Sequence, residues 1–284
     1  MKFNLRAMAF AAAALVSGAA QADFNNPATG DGTLLFVAID ADANIAFTAD
    51  LGLTVSSFVN GTTFTSGLAA PVTWNFATNA TNSGIAGTNA WSTAYSTFTG
   101  TQTGGNFTWG VIAGESQSGG TVASRNTLST GNATPAQMLN LTTSAQVTNQ
   151  LTPIAQFSAA VNNFGNLAAA NTNGAATTTS SDGVAYVNGS GSIFNNFNSF
   201  NTWSYMLANG VSSTFQRAQQ VPAQVTQFGN PNGPLDSLAS NPITFTFDIN
   251  TNTLVLAPVP EPGTYAMMLA GLAAVGFMAR RRKS

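Results

Sequence analysis

The stretch Ile243-Thr244-Phe245-Thr246-Phe247-Asp248-Ile249 alternates apolar and polar residues without a break, and Thr253-Leu254-Val255-Leu256 takes up the pattern again after Asn250-Thr251-Asn252. A period of two puts every second side chain on one face of a strand, so the segment suits a half-buried β-hairpin with a polar turn. It does not suit an amphipathic helix, whose period is 3.6. The signature recurs upstream. Val72-Thr73-Trp74-Asn75-Phe76 and Phe107-Thr108-Trp109-Gly110-Val111 alternate apolar with small polar residues, and Leu34 to Ile39 is a short apolar run bounded by Gly32 and Asp40, suited to a buried strand. Ile45 to Phe47 and Leu53 to Phe58 add two more short segments.

One region departs from this pattern. Thr134-Pro135 is an N-cap followed by a first helical position, and Met138, Leu139, Leu141, Val147 and Leu151 follow without glycine. Pro153 opens a second candidate helix with Ile154, Phe157, Val161, Phe164 and Leu167. The stretch from Ala168 to Asp182 is Ala, Asn, Thr, Ser and Gly and reads as a loop. Strands flank the insert on both sides and no repeat of fixed period is present. The expected fold is therefore mainly β: a single β-sandwich-like domain over 23–257, with a short helical insert at about 134–168.

Both ends of the chain read differently from the middle. Lys2 and Arg6 precede an apolar stretch from Ala7 to Val16, and Ala20-Gln21-Ala22 offers small residues where a signal peptidase reads. Residues 1–22 are thus expected to be a secretory signal peptide, with Ala20 and Ala22 at the cleavage site. At the other end Pro258, Pro260 and Pro262 can continue neither a ladder nor a helix and form a stiff spacer. Thr264 to Ala279 is uncharged and, if helical, about 24 Å long, a short transmembrane helix against a hydrocarbon core of about 30 Å. Arg280, Arg281, Arg282 and Lys283 follow at once, and such a cluster marks the cytoplasmic side. The segment between the two ends is then an ectodomain facing away from the cytoplasm.

Pro260-Glu261-Pro262-Gly263, the apolar helix and the terminal basic cluster resemble the PEP-CTERM sorting signal of Gram-negative bacteria, over 258–284 of the chain. The resemblance implies processing by exosortase, a membrane protease thought to cut near the Pro-Glu-Pro motif, in bacteria that make an extracellular polysaccharide. It would make Pro260, Glu261, Pro262 and Gly263 the sorting motif, and Arg280 to Lys283 a stop and orientation signal. The inner membrane would be a transient anchor before the cell surface or extracellular matrix. Gly30 to Phe58 is also similar to the start of other ectodomains with such a tail, a likeness that implies no known activity.

Charge then narrows the function. Only 6% of the residues are charged, and from Asp23 to Val259 two arginines, Arg125 and Arg217, stand against nine acids, a balance of −7. Such a segment cannot neutralise a run of phosphates, which excludes nucleic acid as a partner. There is no His and no Cys, and the mature segment has no Lys. Ser-His-Asp, Cys-His and Ser-Lys catalysis are excluded with them. A carboxylate pair drawn from Asp40, Asp42, Asp50, Glu115, Asp182 and Asp248 is what survives, and it would point to a glycoside hydrolase. No pair stands out, so the expectation is a non-enzymatic protein with no catalytic residues and no cofactor.

Two motifs admit a ligand. Asp40, Asp42 and Asn44 could offer oxygens to calcium, although Ile45 and Leu51 stand where an EF-hand loop needs Gly and Glu, and a polar turn between strands explains the same residues. Phe194, Phe197, Phe200 and Trp203 recur every three residues among asparagines. They could stack on sugar faces of the cell's own exopolysaccharide or fill a core. Three functions follow: a structural or adhesive component of a bacterial surface or matrix, active in biofilm or floc; a carbohydrate-binding module; and a carboxylate hydrolase.

Overall fold

The structure is a computed structural model that describes residues 32–55, 57, 71–82, 84, 87–103, 107–115, 126–130, 157–161, 172–186, 206–220, 226–228, 243–258 and 270–272. Strands dominate. In chain order they are β1 (Thr33–Asp40), β2 (Ile45–Thr54), β3 (Val72–Asn75), β4 (Ala80–Thr81), β5 (Thr88–Ala90), β6 (Phe107–Glu115), β7 (Asn126–Ser129), β8 (Thr172–Thr179), β9 (Leu207–Ala208), β10 (Ser212–Thr214), β11 (Gln216–Gln220), β12 (Thr226–Phe228), β13 (Ile243–Asp248) and β14 (Thr253–Pro258). Helix α1 (Ser92–Thr101) lies between β5 and β6.

Among these residues the strands form two sheets. The larger runs β12-β11-β7-β6-β1-β2-β8-β5, with β9 also paired to β6, and the smaller runs β10-β13-β14-β3-β4. The alternating run closes as foreseen: β13 and β14 pair from Ile243↔Pro258 to Asp248↔Thr253. Phe245, Phe247, Leu254 and Leu256 are buried, while the threonines between them are only half-buried. β1 is buried along its whole length, because both of its faces are covered.

The sheets face one another across an aromatic core. Phe36 of β1 stacks on Phe76 at 4.6 Å between centroids and meets Phe247 of β13 at 4.8 Å. Trp109 of β6 also lies against Phe247, and Phe47 of β2 meets Phe76 edge-on at 5.3 Å. Helix α1 adds Tyr95, 5.1 Å from Phe47, and Phe98. Three buried indoles each find an acceptor, as a tryptophan N–H in a dry interior requires. Trp74 donates to the Leu51 carbonyl at 3.0 Å, Trp91 to that of Asp50 at 2.9 Å, and Trp109 to that of Ala208 at 3.0 Å.

Three expectations need correction. Ala168 to Asp182 is not a loop throughout, because Thr172–Thr179 forms β8 and pairs with β2 from Ile45↔Thr179 to Ala49↔Ala175. Its small residues let it lie buried beside β2, and they supply no apolar bulk to mark a strand. Ile45–Phe47 and Leu53–Phe58 are not separate strands; β2 runs unbroken from Ile45 through Asp50 and Gly52 to Thr54. Helix α1, built mostly of Ser, Thr and Gly, was not foreseen: its composition is a poor helix former, and burial of Tyr95 and Phe98 selects the helix instead. Of the expected insert at 134–168, residues 157–161 are described; they are helical, with Phe157 and Val161 buried. The signal peptide lies outside the described residues. Of the expected transmembrane helix only 270–272 are described, as helix, and no helix among the described residues is long and apolar enough to cross a membrane.

The register also fixes the two ends of the fold. Asp40 pairs with Ile45 and Phe107, and Ile45 with Thr179, so the turn after β1 and the 3-10 turn Ser180–Ala185 share one end, here termed the tip. The Gly210 N–H reaches the Phe247 carbonyl at 2.9 Å just beyond β9, which itself pairs with Thr108 beside Phe107. This brings the turns at 209–211 and 249–252 to the tip as well. The turn at 76–79 does not join them: Asn79 bonds Asn89, which pairs with Asn173, and holds the N–H of Trp91, whose indole reaches the Asp50 carbonyl, all on the base half of β2 and β8. Thr33, where β1 starts, and Pro258, where β14 stops, both lie at the opposite end, the base.

Candidate functional site

The tip gathers several of the residues that the sequence singles out. Asp40, the last residue of β1, is fully buried, and its Oδ1 accepts the backbone N–H groups of Asp42 and Ala43, both at 3.1 Å. Its Oδ2 accepts the N–H of Thr103 at 2.9 Å, 63 residues away just past α1. One carboxylate thus closes the β1–β2 turn and fastens the end of the helix to it. Asn44 completes the turn in the left-handed region at φ 51°, which asparagine tolerates, and together with Asp42 it is exposed.

Three further acids each serve a different local stretch of backbone. Asp182 accepts the N–H of Thr179 at 2.6 Å and its hydroxyl at 3.0 Å, which caps the 3-10 turn. Asp248 accepts the N–H of Asn250 at 2.9 Å within the β13–β14 turn. Asp50 stands on β2 opposite Leu35, only 7% exposed, and accepts the Gly52 N–H at 2.6 Å. Burial raises its pKa from 3.8 to about 7, against the lowering effect of that hydrogen bond. Of Glu115 the backbone alone is described, in β6.

Two residues that sequence reading passed over hold α1 in place. Asn79 sits at φ 60° in the turn after β3, and its Oδ1 accepts the N–H groups of Trp91 at 2.7 Å and Ser92 at 2.8 Å, which starts α1. Its carbonyl accepts the side-chain amide of Asn89 at 3.0 Å. Tyr95 donates its hydroxyl to the Asn252 side chain at 3.0 Å, joining α1 to the β13–β14 turn. Burial, and secondly the charge of Asp248, raise the pKa of this phenol above its ordinary value. The available sequence signal is Asn in a polar stretch between apolar runs, too common in this chain to rank one position over another.

The remaining candidates lie outside the described residues: Ala20 and Ala22, the rings Phe194, Phe197, Phe200 and Trp203, the motif Pro260 to Gly263, and the basic cluster Arg280 to Lys283. What is described is how the fold reaches that motif. β14 ends at Pro258, held between β13 on one side and β3 on the other. The PEP-CTERM protein-sorting motif matches residues 258–283, so the match begins on the last residue of β14, the last strand among the described residues. The chain therefore carries the sorting signal of an exported, exosortase-targeted protein. No curated protein and no solved structure matches the chain.

Proposed function

We propose that the protein is a structural or adhesive component of a bacterial cell surface or extracellular matrix, delivered by signal peptidase and exosortase after a transient stay in the inner membrane. The observation that carries this reading is the junction between β14 and the sorting motif: the match begins on Pro258, the residue at which β14 ends. A weakly charged, hydroxyl- and amide-rich β fold attached in this way suits cohesion in a biofilm or floc. The carboxylates of Asp40, Asp50, Asp182 and Asp248 are each held by backbone amides of their own neighbourhood, which supports a non-catalytic role.

Intact-mass analysis of the exported protein tests the route. The expected species begins at Asp23 and has lost Arg280 to Lys283. A mature species that retains those four residues overturns it. Deleting the gene tests the role: aggregation and biofilm mass are expected to fall, and unchanged values refute it.

A further inference from the structure

Anchoring through the C-terminal segment, together with the strand directions, sets how the folded part is presented. β14 runs from tip to base and stops at Pro258, and β1 starts at the base with Thr33. From Pro258 to Thr264 is six residue steps, at most about 20 Å of chain. The base is therefore tethered close to the membrane-facing segment. The eight residues of β1 span about 26 Å, so the tip is carried that much farther along the strand axis.

The tip is also built differently from the rest. Asn44 and Asn252, two of the three non-glycine residues with positive φ among those described, lie in its turns. Each turn is pinned by hydrogen bonds: Asp40 holds 41–44, Asp182 accepts the Thr179 N–H at 2.6 Å, Asn209 accepts the Ile249 N–H at 2.8 Å, and Asp248 holds 249–252. The result is a set of short fixed turns at one level.

We propose that the anchored protein stands on its base with the tip turned away from the bilayer, so that these turns form the contact surface it offers to its surroundings. Asp42, Asn44, Ser181, Asn209 and Asn250 are exposed there, and no Lys or Arg is among the described tip residues. Such a surface suits an uncharged polar partner recognised by hydrogen bonds and offers nothing to a polyanion. The proposal rests on membrane anchoring by the C-terminal segment.

The absence of cysteine makes a direct test possible. Single variants of the full chain, Ser181→Cys and Asn250→Cys at the tip, Pro71→Cys and Thr88→Cys at the base, place a donor dye at four exposed positions. The chains are reconstituted into phosphatidylcholine vesicles that carry an acceptor dye on the lipid headgroups, and flotation reports membrane association. Energy transfer several-fold stronger from both base positions than from both tip positions is the expected result. Transfer from the tip equal to or above that from the base overturns the orientation. A chain that does not float, with no transfer at any position, overturns the anchoring itself, and flotation separates the two failures.

Discussion

Asp50 shows how a single buried group shapes stability in a chain with so few charges. Its folded pKa of about 7 lies above the ordinary 3.8, so the folded state holds a proton that the unfolded state has released anywhere between those values. Stability is then greatest below about pH 4, declines as the pH rises towards 7, and stays at the lower level above it. At pH 8 the penalty is at most about 4 kcal/mol, since a tenfold change in proton affinity between the folded and unfolded states is worth about 1.4 kcal/mol. Asp50→Asn keeps an acceptor for the Gly52 N–H and loses the titration. It is expected to raise the urea midpoint at pH 8 by more than at pH 4 and to flatten its dependence on pH. An unchanged pH profile refutes the assignment. Asn79→Ala tests the other kind of residue: with the Trp91 and Ser92 N–H groups left without their acceptor, about 2 kcal/mol of stability should go, with faster amide exchange at the start of α1.

At the scale of elements, the strands that alternate bulky and small side chains were legible because one face must be dry and the other wet. β8 was not, since Gly174, Ala175 and Ala176 carry no apolar bulk; pairing with β2 buries them. Helix α1 escaped for a related reason. Two aromatic residues among serines and threonines make a weak pattern, and the Asn79 cap, the bond from Thr177 Oγ1 to the Ala94 carbonyl at 2.6 Å and the aromatic core supply what the sequence lacks. The candidate site divides in the same way. Asp40 to Asn44 reads as a polar turn from its residues alone, whereas the bond from Asp40 to Thr103 exists only once both sheets and α1 are assembled. One close approach gives a sharp test. A Cβ on Gly32 would stand 1.8 Å from the Gly114 carbonyl oxygen, on the neighbouring strand β6, so Gly32→Ala must push β1 and β6 apart. A loss of about 2 kcal/mol or more is expected in chemical denaturation, while the surface change Thr78→Ala should cost well under half of that.

For the molecule as a whole, the folded part and the delivery signal are expected to be separable in function although the motif match begins on the last residue of β14. Replacing Arg280, Arg281, Arg282 and Lys283 with Gln is expected to leave the Tm of the folded part unchanged and to abolish retention at the inner membrane, measured by cell fractionation. A fall in Tm would mean that the tail packs against the fold. The join also sets the timing of assembly. The centre of the smaller sheet is β14 against β3, which brings residues 253–256 beside 72–75. A polypeptide threaded through a translocon with its N-terminus leading cannot seal its aromatic interior until the final strand has emerged. Pairing so distant in sequence is slow as well. The chain consequently remains loose until β14 has emerged, so that on the proposed route completion of the fold would coincide with arrest at the membrane.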